Sequence, residues 1–399
     1  MKNNYPRILI ISEFFFGENT GGSILLKNLF KNYPREKIFI IHEDSTVSSA
    51  KNENIFSLKA QSNLNSLLKE IIPNRLYRIL VKIKDLYIMN RRKDTNQVLI
   101  QRLKDFQPEV IYTILGNYNL MCLIKEIKLT LGVPLITHIM DNMLANFRNR
   151  ESDEYKIFKF FIQNSTTRVA INKKMAEVYK DFFSYDFNVI HNGVDKKKIL
   201  KVKSSNKIKV VTYIGSIFKN AQLSSLIEIT KALEVINKKE DKVICNFYFP
   251  ENQRRLNQCY FPKNKNIKIK THNLSDKDYF KTISRSDLLI LASNFDEKSI
   301  NYYKYSWPAK MGTYLMSKIP IFIYGPKEIY FIDNAIKNGW AYVESSNSKE
   351  KLRISIEKII SDSYLRKKII KNAIIKSKEF EIEKIQKKFI NLINGTVFK

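Results

Sequence analysis

The stretch from Ser306 to Pro326, SWPAKMGTYLMSKIPIFIYGP, sets a cation where a helix is expected to begin. Pro308 suits a first helical turn, where its missing N–H is not needed, and Lys310 then falls one or two residues inside that N-terminus. The helix macrodipole disfavours a lysine there unless an anion meets it, and the unpaired N–H groups of a helix start attract phosphate themselves. Lys310 therefore reads as a phosphate ligand; the plainer alternative is an exposed lysine on an ordinary helix-strand unit. The helix is expected to reach about Ser317 and to stop at Pro320. Ile321 to Tyr324 should follow as a buried parallel strand closed by Gly325-Pro326.

Three other stretches could do chemistry. Thr20-Gly21-Gly22-Ser23 follows the apolar run Arg7 to Ser12 and precedes an amphipathic helix from Ile24 to about Asn32. Gly21 and Gly22 would let the backbone approach a ligand at a helix start, although such glycines also serve simply to reverse a chain. Gly215-Ser216, between the strand Lys209 to Ile214 and a helix from Leu223 to about Asn237, repeats that opening. His138 and Asp141 close the apolar run Val133 to Met140, and ligands of open parallel sheets collect at the carboxyl ends of strands. The pair could act as base, orienter or sugar ligand, and a structural histidine with satisfied nitrogens is an equal reading.

The elements that must position these residues alternate strand with helix throughout, which implies right-handed crossovers and parallel sheets. Further strands are expected at Lys37 to His42, Glu109 to Leu115, Val169 to Asn172, Asn188 to His191, Ile244 to Phe249, Ile267 to Ile269 and Leu288 to Leu291. The pattern breaks after His191-Asn192-Gly193-Val194-Asp195, where Lys196-Lys197-Lys198 and the polar run to Asn206 read as a linker, and then restarts. At 399 residues the chain is long for one core, so two α/β domains are expected, at 1–200 and 207–375, with 376–399 as a further helical segment.

The formal net charge of +30 asks for an anionic partner, or else reflects a composition rich in Lys, Asn and Ile together. Basic residues spread over the whole chain instead of interleaving with aromatics on one motif, which argues against nucleic acid. Residues 44–66 are polar and read as a loop. After them Leu76, Ile79, Leu80, Ile83, Leu86 and Tyr87 recur at helical spacing among Arg75, Arg78, Lys82, Lys84, Arg91 and Arg92. That is a basic amphipathic helix, suited to an anionic membrane surface or to packing on its own domain. No apolar stretch reaches the roughly 18 residues of a membrane span. The N-terminus passes straight into a strand without a signal-peptide cleavage site, so a cytoplasmic protein is expected, peripheral to the membrane if at all. Cys122, Cys245 and Cys259 have no metal-ligand spacing, which fits a reducing compartment.

Taken in order, GGS at 21–23, THIMDN at 137–142, AINKKMAEVYKDF at 170–182, VIHNGVD at 189–195, TYIGSI at 212–217 and the 306–326 stretch resemble the group 1, family 4 type of glycosyltransferase with the GT-B fold. The resemblance covers most of the chain. It implies two Rossmann-like parallel-sheet domains facing across a cleft, with the segment 376–399 returning to the first domain. A nucleotide-sugar donor would be held by the second half, through Gly215, Ser216, Ser306, Lys310 and Thr313, and a surface-glycan or lipid-linked saccharide acceptor by the first, with Gly21, Gly22 and Ser23 near it. Asp141 or His138 would orient the acceptor in a transfer that retains anomeric configuration. No metal or other cofactor is expected, since a nucleoside diphosphate leaving group needs cations and N–H dipoles, and no DxD-like carboxylate cluster is placed to hold a divalent ion.

The sequence departs from the pattern in two places that matter. Thr313 stands where the family's helix carries a glutamate for the nucleotide ribose, and Tyr305 where the first glutamate of the pair would fall. Lys318 also replaces the usual glycine before the strand. Asp296 or Glu297 could substitute as the acid. The departures keep open a non-catalytic relative acting as scaffold or partner subunit, and the fold also serves sugar-nucleotide epimerases.

Overall fold

A strand whose every residue is buried belongs in the middle of a sheet covered on both faces, and its sequence is then a continuous apolar run instead of an alternation. Ile8–Ser12 (β1), Ile38–His42 (β2), Val110–Ile114 (β4) and Leu135–Ile139 (β5) are such strands, extended by Ile55–Ser57 (β3), Thr167–Ala170 (β6) and Asn188–Val189 (β7). They make one parallel sheet in the order β3-β2-β1-β4-β5-β6-β7. A second parallel sheet takes Lys209–Ile214 (β8), Val243–Phe249 (β9), Ile267–Thr271 (β10), Leu288–Ala292 (β11), Ile321–Tyr324 (β12) and Tyr342–Glu344 (β13) in the order β10-β9-β8-β11-β12-β13. This is a computed structural model, and it describes residues 5–17, 20–43, 54–58, 97–147, 149–202, 208–238, 242–272 and 276–398.

Both sheets reverse their strand order once, between β1 and β4 and between β8 and β11. At such a reversal the loops leaving neighbouring strands part to opposite faces and leave a crevice at the carboxyl ends. The two glycine-bearing openings, after β1 and after β8, both emerge at these points.

The C-terminal helix Ile382–Val397 buries Ile385, Phe389 and Ile393, spaced four apart on one stripe, among Ile8, Ile10, Tyr112 and Ile136 of the first sheet. Three large apolar side chains at about 1.5–3 kcal/mol each make this a firm attachment. The chain reaches it by a backbone clasp in which Val194 N–H donates to Phe380 O (2.8 Å) and Ile382 N–H to Val194 O (3.2 Å).

Three local features differ from the sequence reading. Gly21 and Gly22 lie inside the first turn of the helix Gly21–Leu29, because Thr20 caps it by accepting from Ser23 N–H (3.1 Å). The helix of the 306–326 stretch is shorter, Met311–Met316, with Lys310 at its cap and a separate turn closed by Met311 N–H to Pro308 O (2.9 Å). Strands β3 and β13 were not expected. The basic helix at 75–92 lies outside the described residues, as does 44–66 apart from 54–58. Among the described residues no helix is long and apolar enough to cross a membrane.

Candidate functional site

A cavity of about 330 Å³ opens at the carboxyl ends of both sheets, and each half of the chain supplies one wall. From the second half come Gly215 and Ser216 at the end of β8, and Lys310 and Thr313 around the short helix. From the first half come Gly21 at the start of its helix, Lys27, Asn28 and Lys31 further along, and Asp195 and Lys198 from the segment after β7. Gly21 sits so close to the opposite wall that a Cβ on it would lie 3.1 Å from the Ala309 Cβ.

Lys310 is the unusual group in this cavity. Its Nζ donates to Ile214 O (2.8 Å) and stands 3.7 Å from the centre of the Tyr213 ring. Among the described residues no carboxylate pairs with it. The ammonium is enclosed while part of the residue stays open to the cavity, and burial lowers its pKa from the ordinary lysine range to about 7. Gly215 makes the arrangement possible. It has φ +146°, and a Cβ there would lie 2.7 Å from the Lys310 Nζ. A buried lysine held by one carbonyl and an aromatic face, with no counter-ion among the described residues, has the character of a group that an anion would complete.

His272, at the end of β10, also lines the cavity. Its buried Nδ1 has no hydrogen-bond partner, and its pKa is lowered first by burial and then by the nearby Lys310. The Tyr279 ring lies parallel to it, centre to centre 6.1 Å. Gln222 donates to the Tyr303 hydroxyl on the same wall.

The structure brings Gly21, Gly215, Ser216, Lys310 and Thr313 together in one cavity, and it places the remaining expected residues elsewhere. His138 is fully buried under the first sheet, its Nδ1 paired with the Tyr112 hydroxyl (2.7 Å) and its Nε2 with Ile190 O (3.1 Å). Burial lowers its pKa to about 3, so it is a neutral core histidine and not the cleft group expected from the strand end. Asp141 is exposed beside the second half, with the Ser306 hydroxyl 3.4 Å from its carboxylate, and it is not among the cavity's lining residues. The crowded walls around its carboxyl raise its pKa by desolvation, which the Ser306 contact partly offsets. Ser306 itself is buried and does not line the cavity. Gly22 and Ser23 are buried in the helix's first turn, where a Cβ on Gly22 would meet the Phe14 ring at 2.2 Å.

Asp296 caps the helix Glu297–Tyr303 by accepting from Ser299 N–H (2.9 Å) and from the Ser299 hydroxyl (2.7 Å), and neither Asp296 nor Glu297 lines the cavity. Neither takes the place of the missing acids. Tyr305 packs against the first half's core, and its carbonyl accepts from Asn172 Nδ2 (2.5 Å). Among the described lining residues the one carboxylate is Asp195, which accepts from Lys31 Nζ (3.2 Å) and Lys197 N–H (3.0 Å). Lys27, Asn28, Lys31, Asp195, Lys198, Gln222 and His272 were not singled out from the sequence. Of these only Asp195 and Lys198 had a signal, the abrupt change of composition after VIHNGVD. Among the described residues no group of three or more His, Cys, Asp and Glu could hold a metal ion.

Neither a protein-family model nor the sequence of a curated protein matches this chain. Solved structures do. HepE of Anabaena in complex with UDP and glucose superposes with a TM-score of 0.67 at 10% identity, covering 98% of this chain and 100% of that one. The α,α-trehalose-phosphate synthase (UDP-forming) of Burkholderia vietnamiensis gives 0.67 at 8% identity, with 99% and 100% covered. Sucrose-phosphate synthase of Thermosynechococcus elongatus gives 0.66 at 10% identity, with 98% of both chains covered. The fold is GT-B. Its two facing Rossmann-like sheets and the cleft between them are those the sequence resemblance implied.

Proposed function

We propose that this chain transfers a sugar from a nucleoside-diphosphate sugar to a saccharide acceptor. The observation that supports it most is Lys310: an enclosed amine with no counter-ion among the described residues, beside Gly215 and Ser216, in a cavity walled by both halves of a GT-B fold. A diphosphate entering there would take the lysine from Ile214 O and meet the backbone N–H groups of the Gly215 turn. As the glycosidic bond to the donor breaks, negative charge grows on the leaving phosphate oxygen. A lysine that the bound diphosphate holds in its charged form, in a low-dielectric site, would stabilise that charge with little further reorganisation as the bond breaks. HepE with UDP and glucose, and the UDP-forming trehalose-phosphate synthase, have this fold, which supports a nucleotide-sugar substrate.

Transfer would retain anomeric configuration, with the acceptor hydroxyl attacking from the face of the leaving phosphate. Asp141, at the edge of the first half facing the second, would orient the acceptor. The acceptor would be a surface glycan or a lipid-linked saccharide, presented at the cytoplasmic face of a membrane. Thr313 in place of a glutamate leaves the ribose to polar neighbours such as Gln222.

A thermal-shift panel of UDP-, GDP-, ADP- and CMP-sugars, followed by nuclear magnetic resonance of the product released by the stabilising donor, tests the reading. One donor should stabilise the protein and, with water standing in for the acceptor, be slowly hydrolysed to free sugar and nucleoside diphosphate; stabilisation without any turnover, in water or with added saccharide acceptors, would mark a non-catalytic relative, and no stabilisation would refute donor binding. Asp141→Asn should lower turnover at least tenfold while donor affinity changes less than twofold.

A further inference from the structure

The segment that leads into Lys310 is held by the other half of the molecule. Just past the carboxyl ends of β5, β6 and β7 stand Asn142, Asn172 and Asn192, all buried. Each side-chain amide crosses to a backbone carbonyl of the second half. Asn142 Nδ2 donates to Asn301 O (2.9 Å), Asn172 Nδ2 to Tyr305 O (2.5 Å) and Asn192 Nδ2 to Ala309 O (3.3 Å). The acceptors fall four residues apart, and the last is the residue before Lys310. Two of the amides are tied to their own half by the oxygen. Asn172 Oδ1 accepts from Met175 N–H (2.9 Å) as the cap of the helix Lys173–Phe183, and Asn192 Oδ1 accepts from Asn28 Nδ2 (2.8 Å). Asn142 Oδ1 is buried with no partner among the described residues, so there the crossing bond is the amide's one partner.

The segment needs that support, because the helix at whose cap Lys310 sits fixes its own start poorly. Met311–Met316 has six residues, no side chain caps it, and no acidic residue stands in its first turn. So short a helix owes its stability to what holds it from outside. Lys310 nevertheless keeps its Nζ on Ile214 O at 2.8 Å. We propose that Asn142, Asn172 and Asn192 are positioning residues for Lys310: by fixing the carbonyls of residues 301, 305 and 309 they hold the amine in the cavity wall, and the first half thereby sets nucleotide affinity. Asn142 and Asn172 do not line the cavity, so their effect on a nucleotide has to pass through the segment they hold. The proposal takes its ligand from the donor reading above, whereas the placing of Lys310 is a property of the unliganded protein.

The test is a double-mutant cycle in the full chain, titrated by calorimetry with whichever nucleoside diphosphate the panel selects. Asn172→Asp keeps the cap on Met175 N–H but has no N–H to offer Tyr305 O. Asn172→Ser also caps, ends one bond short of that carbonyl and adds no charge. Each should weaken the nucleotide at least fivefold in the wild-type background and less than twofold in a Lys310→Ala background, since residues that act through one another are not additive. Equal weakening in both backgrounds, or none in either, would overturn the proposal. A second measurement needs no nucleotide. Trace acetylation of the unliganded protein, followed by mass spectrometry over a range of pH, reports the titration of the Lys310 amine. Its pKa, lowered to about 7 by burial, should rise in both variants as the amine loses its enclosure, and an unchanged titration would likewise overturn the proposal. If no nucleotide bound the wild type while that rise appeared, the donor reading would fail and the positioning would stand.

Discussion

The two strand-glycine-helix openings look alike in sequence and do different things. After β1, Gly21 and Gly22 are absorbed into the first turn of a helix that caps itself through Thr20, and their missing side chains make room for Ala309 and Phe14. After β8, Gly215 stays outside the helix, which begins only at Leu223, and its positive φ clears the space that the Lys310 ammonium occupies. One opening brings the two halves together; the other seats a cation. A free backbone position next to a charge is a binding feature, whereas a glycine under a ring is a packing one.

Substitutions at the glycines should separate these roles. Gly215→Ala forces a side chain into a backbone region that costs of order 1–3 kcal/mol, and pushes the flexible tip of Lys310 off Ile214 O. It should weaken nucleotide binding more than tenfold, read by calorimetry, with a modest fall in Tm. Gly22→Ala should do the reverse. Its methyl would meet the Phe14 ring at 2.2 Å, an overpacking cost of about 1–3 kcal/mol that shows in denaturant unfolding while nucleotide affinity of the folded protein holds. Thr20→Ala removes the cap and should cost about 1 kcal/mol of stability, read by denaturant unfolding. If Gly22→Ala weakened the nucleotide as much as Gly215→Ala, the contrast between the openings would be lost.

The fold was legible because the buried strands are written as unbroken apolar runs. Ile8–Ser12 and Ile321–Tyr324 are such runs, whereas Ile55–Ser57 and Tyr342–Glu344, three partly buried residues each at the sheet margins, carry too little pattern to be seen. The second half's wall of the cavity was legible for a different reason, since Lys310 contradicts its own local electrostatics and such a conflict drew attention to the position that lines it. His138 misled because a strand's sequence does not say what covers its end. Here Tyr112 and the carbonyl of Ile190 enclose the imidazole. Lys27 and Lys31 were illegible because lysines four apart near a surface helix are what a solvated face ordinarily shows. Only the fold, by setting that face against the second half, makes them a wall of the cavity.

The claim that Lys310 is the donor's anion ligand is tested most directly by calorimetric titration of the selected nucleoside diphosphate at pH 8, in buffers of different ionisation enthalpy. Unliganded Lys310, with its pKa lowered to about 7, is mostly neutral at that pH, and a bound diphosphate favours its charged form. Binding should therefore take up close to one proton, and affinity should fall as pH rises above about 7. Lys310→Ala should abolish the proton uptake and weaken binding by about 1.5–3 kcal/mol, the contribution of a hydrogen bond to a charged group. A wild type that binds the nucleotide with no proton uptake, and a Lys310→Ala variant that binds it equally well, would contradict the account.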